Sequence, residues 1–246
     1  AAWGGLVGLY TNLLDSMIGL VFELDKIESS FRRSTGASAN FAREVTHVYE
    51  AVRQTGASAE EAARSYESLY NIVTEFTFAS ETHRESLGQT TAMLTQFGIS
   101  QQDLATGVQT SMKVFGMSMG AAEKNARDLT AVATELGLAP QRVAADFASM
   151  GGELAALGPT AIDTFKQMQR VFKVTGFEMR KLMTLTSKFD TFEGAAEMAG
   201  NLNAALGGNF VNAMDMMMET DPVERFDKIR STLLDTVGSF DKMTYD

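Results

Sequence analysis

Apolar residues recur every three or four positions along most of this chain, the spacing of one face of an α-helix. The second such stripe runs through Phe41, Val45, Val48 and Val52, and the third passes through Tyr66. No alternating run of β-branched residues persists for five or more positions, so the pattern predicts no strand. We therefore expect an all-α fold whose helices bury these stripes against their neighbours.

A short motif separates the stripes. It pairs a glycine, which can end a helix in the left-handed conformation, with a serine two positions later that can cap the next helix. Successive serines are 18 to 22 residues apart. The five copies are Thr35-Gly36-Ala37-Ser38, Thr55-Gly56-Ala57-Ser58, Thr77-Phe78-Ala79-Ser80, Phe97-Gly98-Ile99-Ser100 and Phe115-Gly116-Met117-Ser118. This spacing predicts roughly ten to twelve short helices in a hairpin stack or irregular bundle.

The third copy of this motif departs from the others, because Phe78 stands where they have glycine. A phenylalanine does not readily adopt a positive φ. Either the turn there has another geometry or the helix continues. We expect it to continue from Ser58 past Thr82.

The first segment, residues 1–34, carries a longer stripe whose positions alternate by four and three residues, the heptad spacing of a coiled-coil seam. The seam residues are Leu6, Tyr10, Leu13, Met17, Leu20, Leu24, Ile27 and Phe31. Further apolar residues widen this face beyond a two-stranded seam, so self-association would favour a trimer or larger bundle. Two other uses stay open: packing within the chain, and membrane contact by residues 1–22, which Asn12 and Asp15 oppose.

Beyond this segment, composition predicts a helical repeat region over residues 35–200 and a different region over 201–246. The latter opens with a Gly- and Asn-rich turn up to Asn209, continues with a cluster of methionines, and ends in a helix from Pro222 to about Gly238. Methionine repacks readily around different partners but also fills cores. Helical spacing places Met216 and Met218 off the main stripe, which makes them the candidate partner contacts.

Overall charge narrows the classes of partner. The 246 residues carry a formal net charge of −10 without a cluster of basic residues, which argues against binding nucleic acid by phosphate neutralisation. Cysteine is absent, which excludes disulfides and thiolate chemistry. Charged runs such as Glu123-Lys124 are interpreted as a solvated face.

The sequence contains no recognisable catalytic or metal-binding motif. The two histidines, His47 and His83, lack a ligand-spaced companion, and His47 is interpreted as a partly buried structural residue. Phosphate loops, dinucleotide fingerprints and nucleophile elbows are missing from the sequence. We therefore expect a protein that is not an enzyme, with no catalytic residue, no cofactor and no metal site.

Residues 22–38 resemble the repeating helical region of bacteriophage tail tape measure proteins. The resemblance rests on the helix endings and restarts, in which "TG" or "LG" is followed by a small or apolar residue and an alanine-rich helix. It extends over roughly residues 22 to 190 and is clearest in Phe22-Glu23-Leu24-Asp25-Lys26-Ile27, Phe31-Arg32-Arg33-Ser34-Thr35-Gly36-Ala37-Ser38, Thr55-Gly56-Ala57-Ser58-Ala59-Glu60-Glu61-Ala62 and Leu136-Gly137-Leu138.

The resemblance implies a structural protein of the virion, assembled in the cytoplasm of the host bacterium and located in the tail. Such a protein would occupy the tail tube lumen or tip in several copies, set tail length, and take part in genome ejection. Its partners would be other copies of itself, tail tube and tail-tip or baseplate proteins, DNA as passing cargo, and the host membrane. The alternatives are a helical adaptor or scaffold and a membrane-active helical protein that uses residues 1–22.

Overall fold

The protein is described by a computed structural model, which gives the backbone of residues 2–237 and the side chains of residues 18–236. This part of the chain forms thirteen α-helices and no β-strand, which confirms the all-α prediction. Contacts divide the chain into two compact units, unit 1 (Ala1–Ser149) and unit 2 (Met150–Asp246). Composition does not reveal this boundary.

Unit 1 is a continuous stack of helices. Up to the last two helices of the unit, each helix contacts the next one in the chain and the one after that, so that every hairpin is covered by its successor. The helices are α1 (Ala2–Thr35), α2 (Ala39–Val52), α3 (Ala59–Ile72), α4 (Glu81–Thr95), α5 (Gln101–Lys113), α6 (Met119–Glu135) and α7 (Pro140–Ser149). The stack accounts for the repeated stripes, because each helix buries apolar residues against its neighbours.

The joints between the helices form as the motif predicts. Gly36, Gly56, Gly98 and Gly116 all have φ between 65° and 93°, the left-handed conformation. The serines that follow cap the next helix; the Ser58 hydroxyl, for example, accepts from the Glu61 N–H at 3.2 Å. Equivalent bonds form at Ser80, Ser100 and Ser118, whereas Ser38 occupies the N-cap position without a side-chain bond.

The expected continuation of the helix past Thr82 is wrong. Helix α3 ends at Ile72, a 3-10 turn covers Phe76–Phe78, and α4 begins at Glu81. The chain leaves α3 through an extended residue, Val73, with φ −85° and ψ 103°. The buried Phe76 then anchors the turn, so the reversal needs no positive φ.

Aromatic rings hold the middle of unit 1 together. The ring of Phe31, at the end of α1, meets Tyr66 edge-on with centroids 5.6 Å apart and Tyr70 at 5.7 Å. Tyr66 in turn meets Phe76 at 5.0 Å. Edge-to-face pairs of this kind stabilise a core beyond the area that they bury.

Unit 2 contains the remaining helices, and its last helix begins at Pro222 as the sequence predicts. They are α8 (Gly151–Ala155), α9 (Ala161–Thr175), α10 (Met179–Ser187), α11 (Phe192–Leu206), α12 (Ala213–Met218) and α13 (Pro222–Val237). The turn after α11 starts at Gly207, later than its composition indicates. Asn203 fastens this turn, because its amide oxygen accepts from the N–H groups of Phe210 and Val211 at 2.8 and 2.7 Å.

Candidate interaction sites

The heptad seam of α1 is used within the chain at its C-terminal end. Phe31 is buried in the core of unit 1 and Ile27 packs against that core. Leu20 and Leu24 are half-buried. The α1 helix is also tied to α2 by a hydrogen bond from the Thr46 hydroxyl to Glu28 Oε1 at 2.8 Å. The side chains of Leu6, Tyr10, Leu13 and Met17 lie outside the described residues.

Farther from the core, α1 exposes large apolar side chains. Ile18, Val21 and Phe22 are all more than half exposed, and Phe22 is 71% exposed. At about 100° per residue, Ile18 and Phe22 lie on the side of the helix opposite Leu20. A two-stranded coil formed through Leu20 and Leu24 would therefore leave them in water. A helix that is apolar on several sides is normally enclosed by more than one neighbour.

The two candidate methionines have different environments. Met218 is 76% exposed, which leaves it accessible to a partner. Met216 is only 4% exposed and lies in the core of unit 2, so its assignment to a partner surface is corrected. The reason is a buried arginine: Arg225 Nε donates to the Met216 carbonyl at 3.0 Å and its Nη1 donates to the Thr186 carbonyl at 2.9 Å. These bonds hold the short α12 helix against the core.

A buried polar network crosses unit 1. Glu44 on α2 is only 2% exposed and receives two bonds from Arg84 on α4, including Nε to Oε2 at 2.8 Å. The Tyr66 hydroxyl of α3 donates to the same carboxylate. Arg84 also donates to the Ala79 carbonyl and lies 4.7 Å from the centre of the Phe41 ring. One carboxylate thus joins three successive helices of the stack.

The electrostatics of this network favour a structural role. Burial, followed by the hydrogen bond to Glu44, raises the pKa of the Tyr66 hydroxyl. The hydrogen bonds to Glu44 raise the pKa of the Arg84 guanidinium. Both groups therefore keep their protons at neutral pH, and neither is poised to exchange one with a substrate. Spacing could have revealed Glu44, because it lies three residues after Phe41 and four before Val48, on the apolar stripe.

The histidine prediction is also corrected. The side chain of His47 is 52% exposed, and its Nδ1 lies 2.6 Å from Glu85 Oε1 on α4. This hydrogen bond raises the pKa of His47, and the charges of Glu85, Glu81 and Glu50 act in the same direction. The companions of His47 are thus supplied by another helix, which spacing within one helix cannot reveal.

Glu123 corrects the interpretation of a solvated charged run. It is buried and accepts from the hydroxyl groups of Ser86 at 3.0 Å and Thr90 at 2.7 Å, while Arg127 pairs with it one turn away. A carboxylate with several donors can be buried at tolerable cost. Glu123 thus ties α6 to α4.

Comparison with known proteins adds no relative. No family model matches the chain, and neither a curated protein nor a solved structure matches it. Among the described residues, none of the helices combines the length and the apolar character that crossing a membrane requires. The assignment of function therefore rests on the sequence resemblance and on the surfaces described above.

Proposed function

We propose that this chain is a structural protein of a bacteriophage tail, of the tape measure type. The observation that carries the proposal is the repeated joint, in which a glycine ends one helix and a serine caps the next. These joints carry the resemblance to tape measure proteins, and Gly36, Gly56, Gly98 and Gly116 all take the left-handed conformation.

The two compact units suit a docked portion of such a protein better than a stretched ruler. A continuous helix advances about 1.5 Å per residue, so the 34 residues of α1 span about 51 Å. The helices of unit 1 instead fold back on one another, which removes most of that advance. In our proposal, this region docks at the lumen or the tip of the tail and is not itself the stretched segment that measures length.

The partners follow from the exposed surfaces. The exposed apolar residues of α1 (Ile18, Val21 and Phe22) contact other copies of the chain in a trimer or larger assembly, or contact tail tube and tip proteins. The net charge of −10 repels DNA electrostatically, which suits a protein past which the genome moves without being retained. Contact with the host membrane during infection belongs to the same proposal.

The test is made in purified virions of a phage that encodes this chain. Mass spectrometry should detect the chain in isolated tails, and reconstruction should place several copies on the tube axis. An in-frame deletion of residues 39–149 should leave tail length unchanged but impair assembly or ejection. A stretched ruler would instead shorten by about 170 Å over those residues. Infectious virions with normal tails that lack the chain would refute the proposal.

A helical adaptor is the second candidate, because the exposed side chains of α1 would also suit docking to an unrelated protein. Sedimentation of the purified chain distinguishes the two. A tail protein of the proposed type should assemble into trimers or larger species at micromolar concentration. A cooperatively melting monomer at all concentrations would favour the adaptor.

A further inference from the structure

On the surface of unit 1, three potential metal ligands converge from two helices. His47 lies on α2, and Glu81 and Glu85 lie one turn apart on the same face of α4. One ligand atom from each residue falls within 4.8 Å of the other two. His47 Nδ1 and Glu85 Oε1 lie 2.6 Å apart.

The helices beneath this cluster approach each other closely. Gly88 of α4 faces Val48 of α2, and a Cβ atom built on Gly88 would lie 2.9 Å from the Val48 Cγ2 atom. Only glycine fits there without displacement. Gly88 is one turn from Glu85, and Val48 is the residue after His47, so the approach places the three ligands within reach.

A buried ion pair holds the same interface together. Directly beside the cluster, Glu44 of α2 and Arg84 of α4 form a buried ion pair that is joined by two hydrogen bonds. Glu44 lies one turn before His47 on α2, and Arg84 lies one residue before Glu85 on α4. The pair therefore sets the relative position of the two helices next to the cluster. Ligands held by a rigid scaffold lose less freedom when an ion binds, which favours binding.

We propose that His47, Glu81 and Glu85 bind a divalent transition-metal ion of the zinc class. One imidazole with two carboxylates is a donor set that suits zinc, cobalt or nickel, whereas magnesium and calcium prefer oxygen ligands alone. Three protein ligands leave room for water in a tetrahedral fourth position. The site is independent of the proposed tail function.

The geometry requires small adjustments only. Ligand atoms about 2.1 Å from a tetrahedral metal lie about 3.4 Å apart. The His47–Glu85 contact at 2.6 Å must therefore lengthen, and the other separations, which are at most 4.8 Å, must adjust by rotation of the exposed Glu81 and the half-buried Glu85 side chains. The positive end of the α4 helix dipole lies near Glu81 and opposes a cation, so we expect modest affinity.

Binding would clamp α2 to α4 and stabilise unit 1. An ion that binds only the folded state raises the melting temperature as its concentration exceeds the dissociation constant. At a hundredfold excess over that constant, we expect an increase of about 5–10 °C. Chelation should reverse the increase.

The experiment is a calorimetric titration of the untagged full chain with Zn²⁺ alone, repeated with Co²⁺ and followed by visible absorption. We expect one ion per chain, with affinity reduced about 10- to 100-fold or more in His47→Gln and in Glu85→Gln. His83→Gln is the matched control, because it removes the other imidazole of the chain and should bind as the wild type does. Circular dichroism checks that each variant keeps its helical content.

Three outcomes would overturn the proposal. The first is the absence of saturable zinc binding by the wild-type chain. The second is wild-type affinity in either His47→Gln or Glu85→Gln. The third is magnesium binding as tight as zinc binding, because the imidazole would then contribute nothing.

Discussion

Removing either charge of the Glu44–Arg84 pair should destabilise unit 1 severely. Arg84→Met leaves the Glu44 carboxylate buried without its charged partner, while the Tyr66 hydroxyl still donates to it. Breaking a buried pair in this way costs about 3–5 kcal/mol in the free energy of unfolding. Glu44→Leu should cost a similar amount, since it leaves the Arg84 guanidinium without its carboxylate partner.

Replacing both partners together should cost much less. The double variant Glu44→Leu/Arg84→Met contains no unpaired charge, and apolar replacement of a buried pair is often close to neutral. The Tyr66 hydroxyl then loses its acceptor, which costs about 1–3 kcal/mol. Adding Tyr66→Phe should recover most of that loss, so the three substitutions should be strongly non-additive.

Amide hydrogen exchange of the full chain measures these effects where they occur. Peptides from α2, α3 and α4 report the free energy of opening of unit 1 separately from unit 2. The control is Arg64→Met, which breaks an exposed pair with Glu60 on the same stack and should change stability by no more than about 0.5 kcal/mol. If Arg84→Met and the control have equal effects, or if the single losses simply add, the reasoning is refuted.

Three further predictions concern α1, a helix cap and a joint. Phe22→Asp should shift sedimentation toward the monomer while circular dichroism stays unchanged, since Phe22 is exposed in the single chain. Glu61 accepts from the N–H and hydroxyl of Ser58, which lower its pKa from the usual 4.5. The stabilisation that the charged Glu61 carboxylate provides is therefore complete above about pH 4.5. It is lost as pH falls through the pKa that Glu61 has in the folded chain. Glu61→Gln should be less stable by about 0.3–1 kcal/mol at pH 7, with the difference closing in acid urea titrations. Gly176→Ala should lower the free energy of unfolding by about 1–2 kcal/mol, because φ is 71° there. Gly200 lies inside α11 with open space around it, so Gly200→Ala should raise the free energy of unfolding by about 0.5–1 kcal/mol. Thermal melts measure both.

Each of these predictions has a result that would contradict it. If the wild-type chain is a monomer at every concentration, the prediction for Phe22→Asp loses its basis. A stability difference at position 61 that is constant between pH 7 and pH 3 would show that the charge is irrelevant. Equal effects of alanine at the two glycines would mean that backbone conformation does not control the joint.

Helices and joints were the predictable part of this fold. Their signals are local, since a glycine at a helix end and a serine cap act within a few residues of each other. The joint at Phe78 was not predictable from these rules, because its reversal depends on the burial of Phe76 in the core of unit 1. The turn after α11 shows the same limit, because Asn203 forms its bonds from within the helix.

Polar contacts between helices were the unpredictable part. Glu44 lies on an apolar stripe and could have been identified as buried, but its partner Arg84 is 40 residues away. His47 meets Glu85 across 38 residues for the same reason. Met216 was misassigned because the direction of a six-residue helix is set by Arg225 rather than by its own pattern. Such pairs depend on how helices stack, which a single sequence does not specify.

The attachment of α1 has a mechanical consequence. Its last turns enter the core through Phe31, whose ring touches Tyr66, and Tyr66 is bonded to Glu44. A pull along the axis of α1 is therefore passed through Phe31 and Tyr66 to α3 and, through Glu44, to α2. Because α1 is attached through this buried contact, we expect the helix to transmit tension to unit 1 without separating from it.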